Sequence, residues 1–168
     1  NVGALIAAQP KDLEASEIEV RLGATWLDKK YIEQFMYETF ETPRYLRGQI
    51  EISYVPYTAE WQVSRKSMVR YNDVAAFTTY GTDRASAYRL LEDALNLRDI
   101  RIYDTIEDAD GRERRVLNAK ETTLAAQKQQ LIRDAFKDWI WKDPERRETL
   151  VRQYNEEMNS TRPREYDG

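Results

Sequence analysis

The sequence predicts an α+β domain in which small antiparallel hairpin sheets pack with helices and a helix pair ends the chain. In two stretches, residues 50–63 and 100–117, apolar and polar residues alternate at the period of a strand. Elsewhere, apolar residues recur at steps of three, four and seven, which is the period of a helix. Because strands and helices do not alternate strictly, this pattern favours α+β over a parallel sheet.

Residues 1–48 are predicted to form an N-terminal helical segment. Residues 1–9 have the apolar spacing of a helix end that Pro10 closes. Residues 11–27 are expected to form a second short helical or turn segment. Asp28 is a suitable N-cap for a helix over residues 29–40. The predicted apolar face of this helix consists of Tyr31, Ile32, Phe35, Met36 and Phe40.

Residues 49–118 are predicted to form a hairpin region. The first hairpin turns at residues 56–59, and its alternating apolar residues are Ile50, Ile52, Tyr54, Trp61 and Val63. Residues 74–79 are expected to form a third short strand.

A helix over residues 83–96 is predicted next, and a second hairpin follows it. The inward face of the helix consists of Ala87, Leu90, Leu91, Ala94 and Leu95. The hairpin begins with Ile100 and Ile102, turns at residues 108–111, and returns over residues 114–117.

Residues 119–160 are predicted to be a C-terminal helix pair. Asn118 is expected to cap the first helix, with Glu121 completing a capping box. Pro144 must end that helix and start the next, with Asp143 as the N-cap. The first helix carries a wide apolar stripe of Leu124, Leu131, Ile132, Ala135, Phe136, Trp139 and Ile140, and the second buries Leu150, Val151, Tyr154 and Met158. We expect Phe136 and Trp139 to anchor the core, where burying a side chain of this size contributes about 1.5–3 kcal/mol.

The composition excludes several classes of function. The 168 residues include no cysteine and no histidine, which removes disulfides, thiolate zinc sites and the commonest general base. No apolar run approaches the roughly 20 residues that a membrane helix needs, so no membrane partner is expected. The lack of cysteine fits a reducing, cytoplasmic location. The net charge of −4 disfavours a uniformly basic nucleic-acid module but allows a local basic patch.

Candidate catalytic and metal motifs fail on inspection. Asp108 and Asp110 resemble part of a calcium loop, but Ile106 and Leu117 occupy two of the positions that such a loop needs for ligands. A plain hairpin turn is therefore favoured there. There is no glycine-rich phosphate loop, no adenine-methyltransferase tetrad and no carboxylate cluster with the ligand spacing of a nuclease. We therefore expect no catalytic, cofactor-binding or metal-binding residues in this chain.

Basic residues gather beside aromatic ones, and this combination indicates a candidate DNA-binding surface. Phosphate contacts need cations, and neighbouring aromatic rings such as Trp61 and Tyr71 can stack on bases. The candidate contacts are Arg65, Lys66 and Arg70, with a second group of Arg112, Arg114 and Arg115. Arg146 and Arg147 form a smaller third group. The alternative is a solvated face with ordinary ion pairs, since Asp and Glu outnumber Lys and Arg by 30 to 26.

Six segments across nearly the whole chain carry a resemblance to a known family. They are Gln9-Pro10-Lys11-Asp12-Leu13, Arg21-Leu22-Gly23-Ala24-Thr25-Trp26, Leu117-Asn118-Ala119-Lys120-Glu121-Thr122, Phe136-Lys137-Asp138-Trp139-Ile140, Pro144-Glu145-Arg146-Arg147 and Arg162-Pro163-Arg164-Glu165-Tyr166-Asp167-Gly168. Together they resemble an internal segment of very large bacterial proteins carried on conjugative elements and phages. Those proteins are usually described as adenine-specific DNA methyltransferases of the N-12 class, fused to a Snf-type helicase.

The resemblance implies a non-catalytic accessory domain between two catalytic modules. S-adenosylmethionine and ATP would be cofactors of the parent protein and not of this segment, and residues 161–168 would be a linker toward the helicase. The implied partners are DNA and the methyltransferase and helicase modules of the same chain, in the setting of restriction-modification on mobile genetic elements. The alternative role is a protein-packing scaffold that couples the two modules without touching DNA.

Overall fold

The computed structural model describes residues 11–159, and it confirms the predicted α+β class. The helices of this part of the chain are α1 (Lys29–Thr39), α2 (Ala87–Leu95), α3 (Ala119–Lys142) and α4 (Pro144–Tyr154). The strands are β1 (Ile52–Val55), β2 (Glu60–Val63), β3 (Tyr103–Glu107) and β4 (Glu113–Leu117). They form two separate antiparallel pairs, β1–β2 and β3–β4. The predictions for residues 1–10 and 161–168 lie outside the described residues.

The described chain divides into two compact units. The larger unit contains residues 21–137, and the smaller one combines residues 11–20 with residues 138–159. None of the described helices is both long enough and apolar enough to cross a membrane.

Aromatic rings form the centre of the larger unit. Phe35 makes edge-to-face contacts with Phe40 and with Phe136, with ring centroids 6.1 and 5.1 Å apart. Phe40 in turn meets Tyr88, with centroids 5.2 Å apart. All four side chains are fully buried, so the prediction that Phe136 anchors the core is confirmed. Burial raises the pKa of Tyr88 to about 12, while its hydroxyl shares a 2.6 Å hydrogen bond with Thr42.

The buried face of α3 is narrower than the predicted stripe. In the larger unit it consists of Ala125, Gln129, Ile132 and Phe136. Leu124 and Leu131 were expected inside, but they are 41% and 43% exposed because each lies one residue, about 100°, off that face. Gln129, between the two leucines in sequence, is buried instead because its side chain hydrogen-bonds to backbone groups. Its Nε2 donates to the Arg98 carbonyl at 2.9 Å, and its Oε1 accepts from the Ile100 amide at 3.1 Å.

Local capping starts two helices of the larger unit where the sequence predicts. The Asp28 carboxylate accepts from the Lys30 amide at 2.9 Å, and Asn118 Oδ1 accepts from the Glu121 amide at 3.0 Å. The capping box predicted for Glu121 is wrong. The Asn118 amide donates instead to the Ile102 carbonyl at 2.8 Å, which leaves the Glu121 side chain no amide to accept from.

Two predictions between the hairpins are wrong. Residues 74–79 do not form a strand but a π-helical turn, Ala75–Thr79, because the Asp73 carboxylate caps it by accepting from the Ala76 amide at 3.0 Å. The helix predicted over residues 83–96 begins only at Ala87, with Ser86 as its N-cap. The residues before it form a tight turn in which Thr82 Oγ1 accepts from the Ala85 amide at 3.1 Å. The inward face predicted for this helix is confirmed.

The first hairpin, β1–β2, turns at residues 56–59 as predicted, and helix side chains lie along its edges. Ile52 pairs with Val63, and both are buried. The Glu33 carboxylate of α1 accepts from the Ile52 amide at 2.9 Å, and Glu92 of α2 accepts from the Val63 amide at 2.8 Å. Asn96 both accepts from and donates to the backbone of β2. These side chains satisfy edge groups that a two-stranded sheet would otherwise leave open.

The first strand of the second hairpin begins later in the chain than predicted. Ile100 and Ile102 are buried, but they precede β3, which begins at Tyr103. The turn at residues 108–111 is confirmed, with the Gly111 amide donating to the Asp108 carbonyl at 2.9 Å and Gly111 at φ 79°.

In the smaller unit, α4 begins as predicted. Asp143 accepts from the Arg146 amide at 2.9 Å, and Pro144 occupies the first turn. Leu150 is buried, whereas Met158 is exposed, contrary to prediction, because the helix changes to a π-helical turn, Asn155–Asn159, before it. That turn buries Asn155, whose side chain accepts from the Leu13 amide at 2.7 Å and donates to the Leu13 carbonyl at 2.9 Å.

Trp139 is not the core anchor that its place on the stripe predicts. It is half-buried, and the Arg146 guanidinium lies over its ring, 3.6 Å from the centroid. Arg146 also donates to the Trp139 carbonyl and, at 3.1 Å, to the Ile140 carbonyl. Trp139 and Arg146 therefore join the end of α3 to the start of α4 inside the smaller unit.

Candidate nucleic-acid interface

A groove of about 550 Å³ on the larger unit brings Arg65 and Lys66 next to the start of α2. The chain enters this groove after β2, leaves it at the π-helical turn, and returns to it just before α2. The cationic and aromatic side chains that line it are Arg65, Lys66, Arg84, Arg89, Tyr71 and Phe77. Among its lining residues, Asp83 is the only carboxylate.

Arg65 occupies a constrained position at one wall of the groove. Its backbone has a left-handed conformation, with φ 55° and ψ 35°, and it precedes the 3₁₀ turn Lys66–Met68. The Met68 amide donates a hydrogen bond to the Arg65 carbonyl at 3.1 Å, which closes that turn. The side chain is exposed, and no carboxylate of the described residues forms an ion pair with it. Its charge is therefore available to a ligand.

Lys66 has a structural role as well as a place in the groove. Its Nζ lies 2.8 Å from a Glu92 carboxylate oxygen and donates to the Val63 carbonyl at 3.2 Å. The same carboxylate accepts a hydrogen bond from the Val63 amide. Lys66 thus ties the end of β2 to α2, and Glu92 is the counter-ion of its ammonium group.

Two further arginines, which sequence reasoning missed, complete the cationic lining. Arg84 donates through one nitrogen to Asp104 and through another to the Tyr103 carbonyl, both at 2.8 Å. Its guanidinium, followed by the Asn118 amide, holds the pKa of Asp104 below its usual range. Arg89 is the third residue of α2 and donates to the Arg84 carbonyl at 3.3 Å. Like Arg65, Arg89 has no ion pair among the described residues.

The available aromatic ring is Tyr71. It follows Arg70 in a tight turn. The Asp73 amide closes this turn by donating a hydrogen bond to the Arg70 carbonyl at 3.0 Å. Its ring rests on Phe77, with centroids 5.5 Å apart and planes tilted by 37°, and the side chain is still 87% exposed. The sequence-based choice of Trp61 as a second stacking ring is wrong, because Trp61 is only 5% exposed and packs on Tyr54.

The remaining sequence-predicted contacts lie outside the groove. Arg70 is exposed but does not line it. Arg112, Arg114 and Arg115 lie on the second hairpin, where Arg114 pairs with Asp108 at 2.9 Å and Arg115 covers the Tyr103 ring at 4.2 Å. That hairpin also carries the acidic residues Asp104, Glu107, Asp108, Asp110 and Glu113. Carboxylates outnumber arginines there, so the hairpin is the poorer candidate for phosphate contact.

The two basic groups are nevertheless connected through Tyr103. Its carbonyl accepts from Arg84 of the groove, and its ring lies under Arg115 of the hairpin. Within residues 11–159 no group of Asp and Glu side chains has the arrangement of a metal site. Separately, the cations and the Tyr71 ring that line the groove are groups that can bind anions and stack on flat rings.

Comparison with known families places the groove within a recognised domain. A family model described as a domain of unknown function, DUF8437, matches residues 21–160. The chain belongs to this family. The DUF8437 match covers the whole of the larger unit, and with it every residue of the groove. No curated protein and no solved structure matches the chain.

Proposed function

We propose that this DUF8437 segment is a non-catalytic accessory domain that engages DNA through its groove, within a larger adenine-specific DNA methyltransferase with a helicase module. The observation that carries the proposal is the pair Arg65 and Arg89. Both are exposed cations without ion pairs among the described residues, and both line one groove in a chain of net charge −4. The sequence resemblance to methyltransferase–helicase proteins supports the choice of DNA as the polyanion.

The groove is suited to weak, sequence-independent binding. Cations that neutralise phosphates release counterions, and nonspecific binding of this kind has Kd values of roughly 10⁻⁴–10⁻⁶ M. Few phosphates can reach a groove of about 550 Å³, so the salt dependence should be shallow. Such contacts become effective when linked modules supply more of them at high effective concentration. In this proposal the neighbouring modules use S-adenosylmethionine and ATP in the cytoplasm, and this domain holds their DNA.

A second candidate function is a protein-packing scaffold between the two modules. Two observations favour it. Lys66 and Arg84 are compensated by Glu92 and Asp104, which reduces the charge of the groove. Leu124 and Leu131 are exposed on α3 at a spacing of seven residues, so they lie on one side of the helix, where an apolar partner can cover them. A scaffold of this kind would bind no DNA at any salt concentration.

The double variant Arg65→Glu, Arg89→Glu is expected to weaken DNA binding about tenfold or more at low salt, because two phosphate contacts are lost and repulsion replaces them. The variant should fold normally. Glu at position 89 lies three residues after the N-cap Ser86, where it can complete a capping box. Fluorescence anisotropy with labelled DNA at low and moderate salt measures the change.

The matched control is Lys29→Glu, Lys137→Glu, which changes the net charge equally. Both lysines are exposed, and neither lines the groove. The control should bind DNA within about twofold of the original chain if groove contacts, and not net charge, determine affinity. Equal losses in both double variants, or no binding by the unaltered chain at low salt, would favour the scaffold.

A further inference from the structure

We infer that the groove accepts an unpaired nucleotide, so that the domain prefers single-stranded over duplex DNA. The inference rests on the proposed function and adds the class of DNA that this site takes. Tyr71 is the residue that carries it.

Tyr71 is presented as a stacking platform that the Phe77 ring supports from one side. It lies in the turn closed between Arg70 and Asp73, and the Asp73 side chain also caps the π-helical turn that carries Phe77. One face of the Tyr71 ring rests against the half-buried Phe77 ring. The side chain nevertheless remains 87% exposed, so most of its surface is open to a partner. A ring that is both held and exposed loses little conformational entropy when a base stacks on it.

The dimensions of the groove favour a single strand. A volume of about 550 Å³ lies within the range of sites that enclose one small ligand, and it cannot enclose a duplex. In a duplex the flat faces of the bases are stacked on one another, and only their edges reach the grooves. A base can stack on Tyr71 only when it is unpaired, as in single strands bound by aromatic platforms in basic grooves.

The cations supply the matching phosphate contacts. Arg65 and Arg89 line the same groove as Tyr71, so one short stretch of strand can contact a ring and two positive charges. Duplex DNA can still place phosphates on these arginines, because both side chains are exposed. We therefore expect duplex binding to persist at lower affinity and to depend on the arginines but not on Tyr71.

Tyr57 offers a matched control for Tyr71. It is 98% exposed in the turn between β1 and β2, and it does not line the groove. Both residues are largely exposed, so removing either ring costs little packing and neither variant should unfold the protein. Thermal unfolding followed by circular dichroism checks this point before binding is measured.

The test compares a labelled oligothymidylate with a duplex of equal length by fluorescence anisotropy at low salt. The unaltered chain should bind the single strand about tenfold more tightly than the duplex, and Tyr71→Ala should abolish that preference. Tyr71→Phe should retain it because the ring remains. Tyr57→Ala should leave both affinities within about twofold of the unaltered chain.

Other outcomes separate the inference from the proposed function. Equal binding of both DNAs, with no effect of Tyr71→Ala, would overturn the single-strand preference and leave a phosphate-binding groove. Tighter binding of the duplex than of the single strand would also overturn the single-strand preference. If neither DNA binds at low salt, the inference and the DNA-binding function fail together.

Discussion

Gly81→Ala is expected to destabilise the larger unit by more than about 3 kcal/mol, the upper end of ordinary overpacking. A Cβ atom at Gly81 would lie 2.0 Å from the Ala76 carbonyl oxygen. It would also lie 2.9 Å from both the Ala85 carbonyl oxygen and the Ala87 amide nitrogen. All three are backbone atoms, so no side-chain rotation can relieve the clash.

The effect of Gly81→Ala should extend to the groove. Gly81 joins the π-helical turn behind Tyr71 to the start of α2, and separating these elements displaces Arg84 and Arg89. Urea unfolding followed by circular dichroism measures the stability, and anisotropy measures the loss of DNA binding. Gly48→Ala is the control, because Gly48 has φ 89° but no atom within 4 Å of the added methyl group. It should cost only the backbone strain of about 1–2 kcal/mol, and equal losses at both glycines would contradict the packing described here.

Phe136→Ala is expected to reduce the free energy of unfolding by about 3–5 kcal/mol, as for other large aromatic residues removed from packed interiors. Its ring is fully buried and meets the Phe35 ring edge to face, with centroids 5.1 Å apart. Truncation leaves a cavity beside Phe35 that the surrounding rings can fill only in part.

Leu131→Ala on the same helix is the control for Phe136→Ala. Leu131 is 43% exposed, so its truncation should cost less than about 1 kcal/mol. Chemical denaturation of the two variants compares the two sides of α3 directly. If the loss in Phe136→Ala is under about 1 kcal/mol, or smaller than the loss in Leu131→Ala, the helix buries a different face.

The elements that the sequence predicts well are those decided by local chemistry. Asp28 and Asp143 cap their helices, Pro144 separates α3 from α4, and alternation places β1 and β2 correctly. Each of these signals acts within a few residues of chain, so no knowledge of tertiary contacts is needed.

The errors arise where distant residues decide the outcome. Gln129 is buried because the backbone near residues 98–100 needs its amide, and no periodicity of apolar residues reveals such a position. The predicted apolar stripe of α3 is wider than the observed one because it includes Leu124 and Leu131, which face the solvent. Leucines at a spacing of seven share one side of a helix, but the spacing does not say which side faces the core. At residues 74–79, the capping carboxylate of Asp73 outweighs the β propensity of the segment.

The candidate site was predictable in part. Arg65, Lys66 and Tyr71 are close in sequence, so their charge and aromatic character are visible together. Arg84 and Arg89 come to the same groove only because the chain folds back through the π-helical turn. The ion pair between Lys66 and Glu92, 26 residues apart, is equally invisible before folding.

The most direct test of the DNA-binding role is an NMR titration of the isotopically labelled chain with a short oligothymidylate. If the groove is the interface, amide shifts should concentrate in residues 65–71, at Phe77 and in residues 84–89. The hairpin tip at residues 107–113 should change little, because its carboxylates outnumber its arginines. Shifts confined to that tip or to the exposed face of α3, or no shifts with DNA in excess, would contradict a nucleic-acid interface in the groove.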